Sequence, residues 1–69
     1  MNKLFLSMEI YSREMVQATI VAFSELAEIE YYEEKGYYVC AFKKVVYQLE
    51  ETIKEFENYL IDLSIKTRC

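Results

Sequence analysis

The sequence predicts an α+β domain: a three-stranded antiparallel sheet in spatial order 1-3-2, covered on one face by two helices, the ferredoxin-like arrangement without its last strand. Three observations predict it. The hydrophobic period changes four times along the chain, which marks five elements in the order β-α-β-β-α. The single glycine, Gly36, stands between two aromatic and β-branched runs, as a hairpin turn requires. No proline and no linker, repeat or low-complexity tract divides the chain, so residues 1–69 make one domain.

Residues 3–10 alternate, with Leu4, Leu6, Met8 and Ile10 on one side and Lys3, Phe5, Ser7 and Glu9 on the other. A period of two is a strand with one buried face. Ser12 is a good N-cap, and Glu14 follows in the first turn, where the helix dipole favours a negative charge. Met15, Val16, Thr19, Ile20, Phe23, Leu26 and Ala27 recur at three-and-four spacing, which predicts a helix over 13–26.

Two strands come next, near 28–33 and 37–43, around Glu33-Glu34-Lys35-Gly36. With a three-residue loop, a type I turn and then Gly36 left-handed, Glu33 pairs with Tyr37. Ile29, Tyr31, Val39 and Ala41 then share one face, and Glu30, Tyr32, Tyr38, Cys40 and Phe42 share the other. A two-residue loop shifts the register by one and exchanges partners between the faces.

The last element is the plainest. Leu49, Ile53, Phe56, Leu60 and Leu63 repeat at four-three-four-three, an apolar stripe down a helix over 47–66. Glu50 and Glu51 sit in its first turn and Lys66 and Arg68 near its end, both suited to the dipole. Glu50 and Lys54 add an i,i+4 pair. A right-handed crossover and a hairpin place both helices on one side of the sheet. The outer edge of the first strand and the opposite sheet face are left uncovered, and an open edge is a template for another chain.

Composition narrows the function classes. A domain of 69 residues supplies only ~3–5 kcal/mol of net stability from its own core. Two cysteines and no histidine give neither a disulfide framework nor a zinc pattern, so Cys40 and Cys69 are expected as free thiols in a reducing compartment. Self-association or a protein partner is the remaining source of stability. Apolar residues make up 54% of the chain and aromatics 16%, too hydrophobic for disorder and more than one small core hides. The net charge of −4 argues against nucleic acid. Glu9 and Ser7 interrupt the only apolar run near the start, and no run reaches a membrane span. The expectation is a cytoplasmic protein with no nucleic-acid or membrane partner.

No catalytic pattern stands out. There is no histidine, Gly-rich phosphate loop or nucleophile elbow. Glu28, Glu30, Glu33 and Glu34 alternate or cluster around a turn, as solvated hairpin charges do. Cys40, between Val39 and Ala41, reads as a packing residue. Met1, Met8 and Met15 read as core or terminus. The cluster Tyr31, Tyr32, Tyr37 and Tyr38 has too few nearby cations for base stacking and fits a protein–protein surface. The chain is therefore read as a binding module, not an enzyme, with no cofactor or metal. Phe5, Tyr32, Tyr38 and Phe42, taken as sharing the uncovered sheet face, are the candidate interface. A homo-oligomer built on that aromatic face is the alternative to a foreign partner.

Two stretches resemble a known family, the D protein of the His-Xaa-Ser system (HxsD). Tyr11-Ser12-Arg13-Glu14-Met15-Val16, followed by Phe23-Ser24-Glu25, is similar to the family's Tyr-Ser-x-Glu-x-Val run with its downstream Phe-Thr-Asp. Glu55-Phe56-Glu57-Asn58-Tyr59-Leu60-Ile61-Asp62-Leu63-Ser64-Ile65-Lys66 resembles the family's C-terminal Leu-Leu-Asn-Asp-Tyr-x-Leu-Arg-Glu helix. Leu60 and Asp62 match it, Ile65 and Lys66 are conservative replacements, and Ile61, Leu63 and Thr67 depart from its Asn, Tyr and Glu. The resemblance implies a small accessory protein encoded beside radical SAM enzymes and a peptide with His-Xaa-Ser repeats, acting in the maturation of that peptide. The partners it implies are the precursor peptide and the radical SAM enzyme. Any iron–sulfur cluster would be the enzyme's, because two cysteines cannot ligate one.

Overall fold

The computed structural model describes residues 2–67. The order is β1 (Lys3–Ser7), α1 (Arg13–Ala22), β2 (Ala27–Glu34), β3 (Tyr37–Val45) and α2 (Leu49–Thr67). The three strands form one antiparallel sheet in the order β1-β3-β2. Both helices contribute to a single core on one face of that sheet, which is the α+β arrangement the periodicity predicts. The expectations for Met1, Arg68 and Cys69 lie outside the described residues.

Local chemistry accounts for the ends of each element. β1 stops at Ser7, three residues short of the expected 10, because the Ser7 carbonyl accepts from the backbone N–H groups of Ile10 and Tyr11 and turns the chain. Ile10 is consequently exposed, not aligned with Leu4 and Leu6. Ser12 caps α1 as expected, its side chain accepting from the Met15 N–H at 3.2 Å. The helix ends at Ala22, earlier than 26. Phe23 closes it by donating to the Thr19 and Ile20 carbonyls, and residues 23–26 turn into β2. That turn still delivers Phe23 and Ala27 to the core.

The hairpin corrects one expectation. Glu34 pairs with Tyr37, so the loop has two residues, not three. Lys35 and Gly36 both adopt positive φ (49° and 82°), as a type I′ turn demands, and its twist matches that of the flanking strands. Tyr31 therefore pairs with Cys40, Tyr32 with Val39 and Glu33 with Tyr38. Ile29, Tyr31, Tyr38, Cys40 and Phe42 face the helices, whereas Glu30, Tyr32, Val39 and Ala41 face away. A bulge at Glu28/Ile29 lets both Phe42 and Val45, three residues apart, reach the helix side.

The core joins Leu6, Tyr38, Cys40 and Phe42 from the sheet to Val16 and Phe23 from the first half of the chain and Phe56 and Leu60 from α2. Leu49 and Ile53 pack against it partly buried, so the α2 stripe is the buried face. Two hydroxyls go under with it. Thr19 donates to the Met15 carbonyl and Thr52 to the Gln48 carbonyl, each at 2.8 Å. Among the described residues no buried side-chain polar atom lacks a partner, as a small core must arrange when unpaired groups cost ~1–3 kcal/mol each.

Candidate interaction surface

The uncovered face of the sheet is built in three cross-strand rows. Register puts Phe5, Val39 and Tyr32 in the middle row, Lys3, Ala41 and Glu30 on one side, and Ser7, Tyr37 and Glu34 on the other. In the first two rows the central strand supplies the small members, Val39 and Ala41, and the edge strands carry the large ones. Val39 and Ala41 are buried although no helix lies over them, because the flanking side chains close across them. Phe5 is 49% exposed, Tyr37 46% and Tyr32 37%. Phe5 and Tyr37 meet edge to face, with centroids 6.2 Å apart. The Lys3 ammonium stands 5.9 Å from the Tyr32 ring centre, and Lys43 pairs with Glu30 at 3.5 Å. An aromatic centre with a mixed-charge rim is the anatomy of a protein-binding patch.

Of the four residues expected to share this face, Phe5 and Tyr32 lie on it. Tyr38 and Phe42 do not. They are 8% and 2% exposed and point into the helix-side core, Phe42 against Phe56 and Tyr38 stacked on Tyr31. The two-residue turn moves them there, since one step of register exchanges the partners of every pair. Tyr37, named in the tyrosine cluster but not among these four, takes their place. The signal that finds it is the Lys35-Gly36 pair taken as a complete loop.

The remaining polar clusters are structural in form. Arg13, at the start of α1, donates to Glu33 Oε2 at 2.9 Å, and the Tyr31 hydroxyl donates to the same oxygen at 2.9 Å. This ties the first helix to β2. Desolvation and then the hydrogen bond to Glu33 raise the Tyr31 phenol, while Arg13 pulls it the other way; the same carboxylate raises the Arg13 guanidinium. Cys40 is fully buried, and burial pushes its thiol up to about 11. Thiolate, the reactive form, is thereby suppressed. A cleft at the start of α2 is lined by Leu26, Tyr47, Gln48, Glu51, Thr52 and Glu55. Among the described residues no group of His, Cys, Asp and Glu is arranged to hold a metal ion, and no helix is long and apolar enough to cross a membrane.

Fold and surface together define a small α+β domain of the open-faced sheet type, with helices on one side and an aromatic patch on the other. The chain belongs to the HxsD family, described as His-Xaa-Ser system protein HxsD, whose family model matches residues 6–68. That match takes in every element except the first three residues of β1. No curated protein and no solved structure matches it.

Proposed function

We propose that this chain is a non-catalytic accessory protein of a His-Xaa-Ser peptide-maturation system in the cytoplasm, and that it holds the precursor peptide or the radical SAM enzyme that modifies it. One observation carries the reading: the Phe5–Val39–Tyr32 row, with Tyr37 beside it, exposes a contiguous aromatic patch on a face that the chain's own helices leave uncovered. Aromatic anchors on a rigid sheet dominate binding energy while losing little conformational entropy. Family membership supplies the system, and the patch supplies the means. The chemistry belongs to the partner. The one described thiol is buried and protonated, and the carboxylates sit in solvated or helix-tethering positions.

The test is co-purification of the tagged chain with a radical SAM enzyme and a His-Xaa-Ser peptide encoded beside it. Tyr32→Ser and Tyr37→Ser are expected to leave the circular dichroism spectrum unchanged and to weaken capture at least tenfold, about 1.4 kcal/mol, as loss of an aromatic anchor does. Undiminished capture by the doubly substituted, folded protein would move the partner off this face.

A further inference from the structure

We propose that the outer edge of β1 is a pairing site for a second copy of this chain, in antiparallel register about a two-fold axis at Phe5. The result is a six-stranded sheet in the order 2-3-1-1-3-2. This inference concerns the edge and does not depend on what binds the aromatic face.

The backbone gives the site. β1 ends one side of the sheet, with no neighbour among the described residues. The Phe42 N–H donates to the Asn2 carbonyl at 2.7 Å, and the Met8 N–H donates to the Gly36 carbonyl at 3.0 Å. In an antiparallel ladder the inward-bonding residues alternate, so Asn2, Leu4, Leu6 and Met8 bond to β3. Lys3, Phe5 and Ser7 then turn their N–H and C=O groups outward. The Ser7 carbonyl is already taken by Ile10 and Tyr11, but the Ser7 N–H, the Phe5 pair and the Lys3 carbonyl remain.

Charge and register select the occupant. A two-fold at Phe5 places Phe5 opposite its copy and Lys3 opposite Ser7. All five strand residues overlap. Four bonds form: the two mutual Phe5 bonds, and each Ser7 N–H to the other copy's Lys3 carbonyl. An axis at Lys3 would oppose two ammonium groups; an axis at Ser7 would lose most of the overlap. The other edge of the sheet, β2, carries Glu28, Glu30, Glu33 and Glu34, so a second copy there would meet like charge along its length. β1 carries a single charge, Lys3, near its end. The pairing also continues the exposed surface: each Phe5, 49% exposed, gains an aromatic neighbour, and the two Phe5–Tyr37 contacts become one band. A five-residue edge makes a small interface, at the weak end of the size range, so the dimer should form at about micromolar concentrations or above.

Sedimentation velocity of the reduced full chain, from about 1 to 500 μM, reads the assembly directly and should show a monomer–dimer equilibrium. Phe5→Glu sets two carboxylates face to face on the axis, and Ser7→Pro removes an outward N–H that the β1–β3 ladder does not use. Each is expected to keep its circular dichroism spectrum and to raise the dimer dissociation constant more than about tenfold. Tyr32→Ser, two strands over on β2, should leave that constant unchanged even where it abolishes partner capture, which separates this inference from the proposed function. Hydrogen exchange on the unsubstituted chain covers the case in which both variants unfold: the Phe5 and Ser7 amides should slow as concentration rises. A monomer throughout the range overturns the proposal. So does a dimer untouched by both folded variants, or exchange at Phe5 and Ser7 that ignores concentration.

Discussion

Phe56 is the residue on which the core closes. It is fully buried in the middle of α2, and its ring meets those of Phe23 and Phe42 edge-on, both at 5.3 Å. Phe56→Ala removes both contacts and leaves a cavity beside Phe23 and Phe42, at an expected cost of ~3–5 kcal/mol. That is most of what a domain of this size has, so the variant should give no cooperative melting transition by circular dichroism. Cys40 gives a second test at this scale. Its thiol is raised to about 11 from an ordinary 9, so the native state holds a proton that the unfolded chain releases. The associated stability is complete below pH 9 and lost as pH climbs towards about 11. With Cys69→Ser in the background, a thiol reagent at pH 8 should label Cys40 only as fast as the domain opens. Cys40→Ala should flatten the alkaline fall in melting temperature.

At the scale of elements, the hairpin is the piece whose details decide most. Lys35 pays for the type I′ turn with a left-handed backbone that asparagine or glycine adopts more readily. Lys35→Asn is expected to stabilise the domain by ~0.5–1 kcal/mol, read as a rise in the urea midpoint with an unchanged slope. A fall would mean that the Lys35 side chain contributes more than its backbone costs. Nothing lies within 4 Å of a Cβ built on Gly36, so a Gly36→Ala penalty would come from its φ of +82° and not from a clash. α1 is only ten residues long, and its anchorage is correspondingly explicit: the Ser12 cap, the buried Val16 and Thr19, and the Arg13 link to Glu33 on β2. The last of these is solvent-exposed and fixes position more than it adds stability.

For the whole molecule, the two faces of the sheet differ in burial: the helix side forms the core, and the other side is left open. Phe42 and Tyr32 sit on strands joined by one hairpin, and a naive reading gives them the same role. Phe42→Ser puts a hydroxyl into the core beside Phe56 and should unfold the domain. Tyr32→Ser lies on the open face and should shift the melting temperature by no more than a few degrees, as surface substitutions of about 0.5 kcal/mol do. Comparable losses from both would mean that the open face is part of the core. The two edges differ as well. The glutamates of β2 discourage pairing on that side, and β1, with one lysine, leaves the other side available.

Element order, strand order, the Ser12 cap and the α2 stripe were all legible from the residues, because each rests on local periodicity or on a side chain bonding to its own backbone. Leu49, Ile53, Phe56 and Leu60 are spaced for one helix face whatever they pack against. The candidate surface was legible by half. Phe5 follows from the alternation of β1 alone, and Tyr32 from its own strand. Tyr38, Phe42 and Tyr37 depended on how β3 registers against β2, and alternation within a strand is silent on that. Only the tertiary structure decided it, through a turn that holds Lys35 at positive φ so that the strand twist is kept and Phe42 meets Phe56. The early ends of β1 and α1 have the same origin. Ile10 continues the alternating pattern and Leu26 the helical one, but the carbonyls of Ser7 and Phe23 bond into turns that bring Leu6 and Phe23 together in one core.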